Sequence, residues 1–177
     1  MVRALRTGSG VRTHGRSLIE MMVVLSLLVI MITLAAAPWQ AFLERQSREA
    51  AASTLLSHLG LARSAAISRR ARVTIAPRES IWRTGWRVFV DRNRDGEWDE
   101  DEAELLVSEG ADVDIQANGV MQRYVSFDEL GRPVQANGAF LAGSFTLCSV
   151  GGQQVHRLVL AASGRVRHEK ANRPCGE

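Results

Sequence analysis

An uncharged apolar run near the N-terminus limits what this chain of 177 residues can fold into. The run extends from Met21 to Ala37. As an α-helix it would be about 25 Å long, and with its flanking residues it approaches the roughly 30 Å hydrocarbon thickness of a bilayer. The basic residues that precede it are Arg3, Arg6, Arg12 and Arg16. By the positive-inside rule, the sequence predicts a single-pass transmembrane segment over residues 16–38, with the N-terminus in the cytoplasm and the C-terminal domain on the other side of the membrane.

A cleaved secretory signal peptide is the alternative interpretation of this region. Such a peptide has a basic start, an apolar centre and small residues at the cleavage site, for which Ala35 to Ala37 would serve. The length of the apolar run, the proline that follows it and Glu20 inside it all argue against this alternative. Because an ionisable residue in an apolar stretch is costly without a partner, Glu20 is predicted to be functional.

The residues Gly15-Arg16-Ser17-Leu18-Ile19-Glu20, followed by Met-Met-Val-Val-Leu-Ser-Leu-Leu, resemble the type IV prepilin signature. This resemblance implies that a prepilin peptidase removes a leader of residues 1–15 by cutting after Gly15. Arg16, where the family usually has Phe, would become the methylated N-terminus. Glu20 would pair with the terminal amine of a neighbouring subunit during assembly. A carboxylate facing an ammonium group in a low dielectric is consistent with that role.

Small apolar residues recur at steps of three or four after Trp39, and no proline interrupts them up to Arg70. This spacing gives one apolar face and predicts an amphipathic helix over residues 39–71 that packs on a sheet. The residues of this apolar stripe are Ala51, Leu55, Leu59, Ala62 and Ala66.

Short β-type runs separated by turn residues follow the helical region. Glycine, proline and asparagine mark the turns between the runs. The runs are residues 73–76, 86–90, 105–107, 124–127, 140–148 and 155–160. We therefore expect an α+β fold of the type IV pilin kind, in which a long N-terminal helix packs on antiparallel sheets and residues 72–177 form a β-rich periplasmic domain.

Four internal motifs resemble the FimT/GspH family of minor pilins and type II secretion pseudopilins. They are Gly85 to Asp91, the following Asn-Arg-Asp-Gly, a late Phe-Thr-Leu-Cys and a terminal Gly-Arg-Val-Arg. The resemblance implies a minor pilin of a type IV pilus that binds extracellular DNA non-specifically for uptake in natural transformation. The alternative it implies is a GspH-like pseudopilin, a structural subunit of the type II protein secretion system. Its partners would be other pilins or pseudopilins, the prepilin peptidase and the inner membrane, and possession of a catalytic activity is not expected.

The total charge does not indicate nucleic-acid binding, since removal of the leader arginines leaves 19 basic and 19 acidic residues. A local argument rests on Gly164-Arg165-Val166-Arg167. In an extended strand the two arginines point the same way, about 6.6–6.8 Å apart, and each could engage a phosphate. FimT-like members bind DNA through a C-terminal Gly-Arg-x-Arg motif, and Lys170 and Arg173 could add to it. The alternative is a solvated sheet edge whose arginines discourage pairing with another sheet.

The acidic segment that begins at Asp91 matches the spacing of a calcium-binding loop. Its candidate ligands are Asp91, Asn93, Asp95, Asp99 and Glu102. In helix–loop–helix calcium proteins a helix leads into the calcium loop. Here a predicted strand leads into the acidic segment instead. The alternative is a solvated β-turn in which Asp95-Gly96 supplies the bend. No other cofactor is expected.

The chain contains two cysteines, Cys148 and Cys175. Disulfides persist outside the cytoplasm, where this domain is predicted to lie, so we expect a Cys148–Cys175 bond. On the chain-entropy model such a bond stabilises the fold by roughly 3–4 kcal/mol. The histidines, in contrast, have no acid or nucleophile at a recognisable catalytic spacing, which is why we expect no enzyme.

Overall fold

The computed structural model describes residues 17–111, 113–148 and 154–172. Within the first range, the side chains of residues 34–38, 40 and 41 also lie outside the description. The chain divides into two compact units, residues 1–41 and residues 42–177. The predicted prepilin cleavage residues, Gly15 and Arg16, lie outside the described residues.

A single long helix, α1, extends from Leu18 to Arg69. At its start the backbone N–H of Glu20 donates to the Ser17 hydroxyl at 3.3 Å, so Ser17 caps the helix. At its end Arg70 has a φ of 51°, and this left-handed conformation stops the helix. The predicted helical segments on the two sides of Pro38 thus belong to one element.

The first part of α1 is apolar and exposed. Every large apolar side chain between Leu18 and Ile32 is exposed, and so is Glu20 among them. Within the part of the chain that is described, no helix has both the length and the apolar character needed to cross a bilayer. The predicted transmembrane segment over residues 16–38 is therefore not confirmed.

The strands form two antiparallel sheets. The larger sheet contains β1 (Val73–Pro77), β2 (Gly85–Val90), β3 (Glu104–Glu109), β5 (Val125–Phe127) and β6 (Pro133–Val134), in the order β3-β2-β1-β5-β6. The smaller contains β4 (Asp114–Ala117), β7 (Gly143–Cys148), β8 (Gln154–Leu160) and β9 (Val166–Asn172), in the order β4-β7-β8-β9. Two 3₁₀ turns, Trp82–Thr84 and Gly119–Gln122, complete the described elements.

The hydrophobic core joins the second part of α1 to both sheets. The predicted apolar stripe of the helix is buried, with Leu55 and Ala62 fully inaccessible to solvent. It belongs to one cluster with Ile75 of the larger sheet and with Phe145 and Leu158 of the smaller one. This arrangement confirms the predicted α+β fold, one helix packed on antiparallel sheets.

Two buried tryptophans show how the core accommodates polar atoms. The indole N–H of Trp82 donates to the Met121 carbonyl oxygen at 2.9 Å. That of Trp86 donates to Nδ1 of His58 on α1 at 3.0 Å, and burial lowers the pKa of His58 below its ordinary value. The neutral imidazole is the form that can accept this hydrogen bond. Trp86 therefore links β2 to α1, and Trp82 links the two 3₁₀ turns.

Each of the six predicted β-runs overlaps a strand, and three strands were not predicted. The missed strands are β4, β6 and β9. β6 has two residues, and β4 and β9 are the edge strands of the smaller sheet. Edge strands carry polar and charged residues that weaken the apolar signal on which the prediction depends.

We predict that Leu59→Ala lowers the free energy of unfolding by about 2–5 kcal/mol, because it removes a fully packed side chain from the centre of the helix–sheet core. The matched control is Leu61→Ala on the exposed face of the same helix, which should change stability by about 0.5 kcal/mol or less. Urea denaturation followed by circular dichroism measures both. Equal losses in the two variants would contradict the packing described.

Candidate nucleic-acid interface

The Gly164-Arg165-Val166-Arg167 motif lies where the β8–β9 hairpin turns back along the edge of the smaller sheet. The backbone N–H of Gly164 donates to the Ala161 carbonyl oxygen at 2.9 Å, and the N–H of Ala161 donates to the Arg165 carbonyl oxygen at 3.0 Å. Gly164 has a φ of 78°, a left-handed conformation that favours glycine. The glycine of the motif is therefore required by the turn.

Arg63 of α1 stabilises this turn through hydrogen bonds to backbone carbonyl oxygens. Its guanidinium donates to the carbonyl oxygens of Gly131, Ser163 and Gly164 at 3.0–3.1 Å. A Cβ atom on Gly164 would lie 2.5 Å from the Gly131 carbonyl oxygen and 3.0 Å from Nε of Arg63. The helix, the β5–β6 turn and the β8–β9 turn thus meet at one point. No local sequence pattern indicates this contact, because Arg63 lies about a hundred residues before the turn that it contacts.

Arg165 and Arg167 lie on the same face of the hairpin, and both are exposed. The register pairs Arg167 with Val159, so strand alternation turns these two arginines away from the face that carries Leu158 and Leu160. Nη2 of Arg167 lies 3.6 Å from a carboxylate oxygen of Glu169. The side chain of Arg165 makes no ion pair with any residue that the structure describes.

Arg157 of β8 contributes a third cation to this face. It is opposite Glu169 in the register, and its guanidinium donates to the Ser144 hydroxyl at 3.2 Å. Exposed ion pairs such as Arg167–Glu169 are weak, so a phosphate could replace the carboxylate at little cost. The face is therefore basic on balance, with Glu169 as an acidic residue between the arginines.

Lys170 lies on the opposite face of β9. There its ammonium group donates to Oε2 of Glu49 on α1 at 2.7 Å. The hydrogen bond from Lys170 lowers the pKa of Glu49. Arg173 lies outside the described residues. Of the four cations predicted for DNA binding, the structure thus brings Arg165 and Arg167 together and places Lys170 elsewhere.

The acidic segment after β2 is held by hydrogen bonds to its own backbone. Asp91 is buried, and its carboxylate accepts hydrogen bonds from the Thr74 hydroxyl and the Arg94 N–H, both at 2.7 Å. Glu102 accepts from the Arg92 N–H at 2.7 Å, and burial raises the pKa of its carboxyl above the ordinary value. Both acids therefore act as anchors of the loop.

The remaining candidate calcium ligands also bond within the segment. The amide nitrogen of Asn93 donates to Asp95 at 2.8 Å and to Asp99 at 2.9 Å. The amide thus occupies the space between the two carboxylates. In the described part of the chain, the one group of acids and histidines close enough to share a metal ion is Glu49, His156 and His168, which lies away from this loop. Calcium binding by the loop stays a prediction.

The remaining predicted sites are described in part. Cys148 forms a disulfide bond, and its predicted partner, Cys175, lies outside the described residues. Glu20 lies in the first turn of α1, where the positive end of the helix dipole favours an acid.

Comparison with known proteins places the chain in a family. The family model of the type II transport protein GspH matches residues 51–164. The chain belongs to the GspH family. This match confirms the predicted resemblance to FimT/GspH-type minor pilins and pseudopilins, which are structural subunits. No curated protein matches the chain.

The structure of this GspH-family chain is similar to that of the type IV minor pilin FimU of Pseudomonas aeruginosa strain PAO1. In one crystal form the TM-score is 0.54 at 23% identity, over 72% of this chain and 92% of FimU. In a second crystal form the TM-score is 0.48 at 22% identity, over 68% of this chain and 91% of FimU. The first comparison shows a shared pilin fold.

We predict that Gly164→Ala lowers the free energy of unfolding by about 3 kcal/mol, since it combines a left-handed backbone with a clash against the Gly131 carbonyl. The control is Gly138→Ala. Gly138 has a φ of 82° but no atom within 4 Å of an added Cβ, so only the backbone cost of about 1–2 kcal/mol applies. Urea denaturation measures the difference. Equal losses in the two variants would show that the close approach of the Gly131 carbonyl oxygen and Arg63 does not restrict the side chain at position 164.

Proposed function

We propose that this GspH-family chain is a minor subunit of a pilus or pseudopilus and that the first part of α1 joins it to neighbouring subunits. The observation that carries the proposal is the exposure of every large apolar side chain between Leu18 and Ile32. An apolar helical surface of this extent is stable in an aqueous compartment only when another apolar surface covers it. In a filament, the equivalent helices of adjacent subunits supply that cover.

Glu20 is the polar group that sets the position of the helix in such a filament. It is an exposed carboxylate within the apolar surface, near the start of α1. Covered by neighbouring helices, it would need a positive partner, since an unpaired buried charge is strongly unfavourable. Removal of residues 1–15 by the prepilin peptidase would provide that partner as the freed amine of Arg16. The peptidase and the inner membrane would be the partners of the chain before assembly.

The disulfide bond of Cys148 supports a periplasmic location for the β-rich unit, because disulfides persist in that compartment and are reduced in the cytoplasm.

We predict that Glu20→Gln reduces incorporation of the subunit into filaments about tenfold or more, because the neutral amide cannot pair with an ammonium group. The measurement is immunoblotting of sheared filaments from the native cell, normalised to total subunit. The matched control is Glu79→Gln, an exposed acid of the β-rich unit, which should leave incorporation unchanged. Normal incorporation of Glu20→Gln would exclude charge pairing as the assembly determinant.

A second function, non-specific binding of extracellular DNA for uptake, is favoured by the placement of Arg165 and Arg167. Both are exposed on one face of the β8–β9 hairpin, at a turn whose carbonyl oxygens accept hydrogen bonds from Arg63. Two guanidiniums fixed at strand spacing can each bind a backbone phosphate. Such contacts position a protein on DNA without reading its sequence. The remaining cation of the predicted patch within the described residues, Lys170, pairs with Glu49, so the binding should be weak.

We predict that full-length protein binds double-stranded DNA with an affinity that falls as salt rises, and that Arg165→Ala/Arg167→Ala lowers the log–log salt slope by about two. Fluorescence anisotropy at several salt concentrations measures it. The charge-matched control is Arg78→Ala/Arg123→Ala, a pair of exposed arginines on another surface, which should retain the slope. Absence of DNA binding by the wild-type protein would exclude this second function and favour the GspH-like structural role, for which deleting the gene should impair protein secretion and leave transformation intact.

A further inference from the structure

Three residues from separate elements place metal-ligating atoms side by side at the helix-facing side of the β8–β9 hairpin. They are Glu49 of α1, His156 of β8 and His168 of β9. One ligand atom from each residue lies within 4.8 Å of the other two. His156 is buried and Glu49 is exposed, so the group is open to solvent on one side.

The two imidazoles are held against each other. Nδ1 of His156 and Nε2 of His168 are 2.9 Å apart, and the ring centroids are 5.1 Å apart with planes tilted by 31°. A hydrogen bond between ring nitrogens needs one N–H and one lone pair, so at least one nitrogen presents its lone pair to the other ring. In the tautomer that carries this proton on the other nitrogen of its ring, two lone pairs face each other, and a cation between them would satisfy both.

The carboxylate of Glu49 completes the set. One of its oxygens lies within 4.8 Å of a ligand nitrogen of each histidine, and its Oε2 atom is 2.7 Å from the ammonium group of Lys170. In the metal-free arrangement the ammonium group of Lys170 pairs with this carboxylate, and a divalent ion would replace that group. Small changes of side-chain torsion suffice, since tetrahedral zinc ligands lie roughly 3.3 Å from one another at bond lengths of about 2.0–2.2 Å.

We propose that Glu49, His156 and His168 form a binding site for a divalent transition metal, with Zn²⁺ as the ion that two imidazoles and one carboxylate suit best. Three protein ligands leave a fourth position for water or for a group from a neighbouring subunit. The site cross-links α1 to the hairpin that carries Arg165 and Arg167. The proposal is independent of DNA binding and of filament assembly.

The charges around the site determine its pH dependence. Burial lowers the pKa of His156, and the neighbouring His168, Lys170 and Arg48 lower it further, against the opposing effect of Glu49. The hydrogen bond from Lys170 lowers the pKa of Glu49. A metal ion binds the neutral form of an imidazole and the ionised form of a carboxylate. Acidification should release the ion as the imidazoles become protonated.

The experiment uses the full chain without an affinity tag, in detergent and stripped with chelator. Zn²⁺ alone is titrated at pH 7.5 by isothermal calorimetry. We expect one site per chain, an increase of about 5 °C or more in melting temperature at a hundredfold excess over Kd, and loss of binding at pH 5. His168→Ala and Glu49→Gln should each weaken binding about tenfold or more.

The matched control is Glu169→Gln, which changes a carboxylate next to His168 on the opposite face of β9 and should leave binding unchanged. Co²⁺ provides a spectroscopic test, because a tetrahedral site gives intense visible absorption that His168→Ala should abolish. Absence of Zn²⁺ binding by the wild type, or equal binding by His168→Ala that melts like the wild type, would overturn the proposal. If His168→Ala does not fold, Glu49→Gln replaces it in this test. Zn²⁺ binding by Glu49→Gln equal to that of the wild type would then overturn the proposal.

Discussion

The packing of one face of α1 on two sheets is the interaction on which the rest of the structure depends. Fully buried alanines and leucines of the helix reach strands of both the larger and the smaller sheet, which makes a single core from elements far apart in sequence. The small alanines allow close approach, while Leu55 and Leu59 fill the volume between the sheets. Arg63, on the same helix, then holds two turns through their carbonyl oxygens, so the helix positions the exposed hairpin as well as the core.

Regular patterns with a simple physical cause were predictable from the sequence. The spacing of Leu55 and Leu59 predicted the buried helix face, and short β-type runs between turn residues predicted β1, β2 and β8. Strand β9 was not predictable in the same way, because its inward-facing residues after Val166 are His168 and Lys170. Their partner is Glu49, which is 121 residues from Lys170 in sequence, and no local pattern reveals such a contact. The spacing of Arg165 and Arg167 was recognised, but the division of the predicted cations between two faces depends on the register of β9.

Several charged residues of the globular unit are paired within the fold. Lys170 pairs with Glu49 and Arg167 lies near Glu169. The acidic loop, in turn, uses Asp91 and Glu102 to bind its own backbone. These charges therefore serve the fold, while the arginines at the β8–β9 turn and the apolar first part of α1 are exposed to partners. This distribution fits a subunit whose principal partners are other subunits.

We infer that the N-terminal segment is processed and then serves as the assembly helix of a pilin-type filament. Intact-mass and N-terminal peptide mass spectrometry of the protein from its native cell tests it most directly. The account predicts a mature chain that starts at Arg16, with a methyl group on its amine and the whole of α1 retained. A mature chain that starts at Pro38 would contradict the account, because the exposed apolar helix and Glu20 would then be absent from the functional protein.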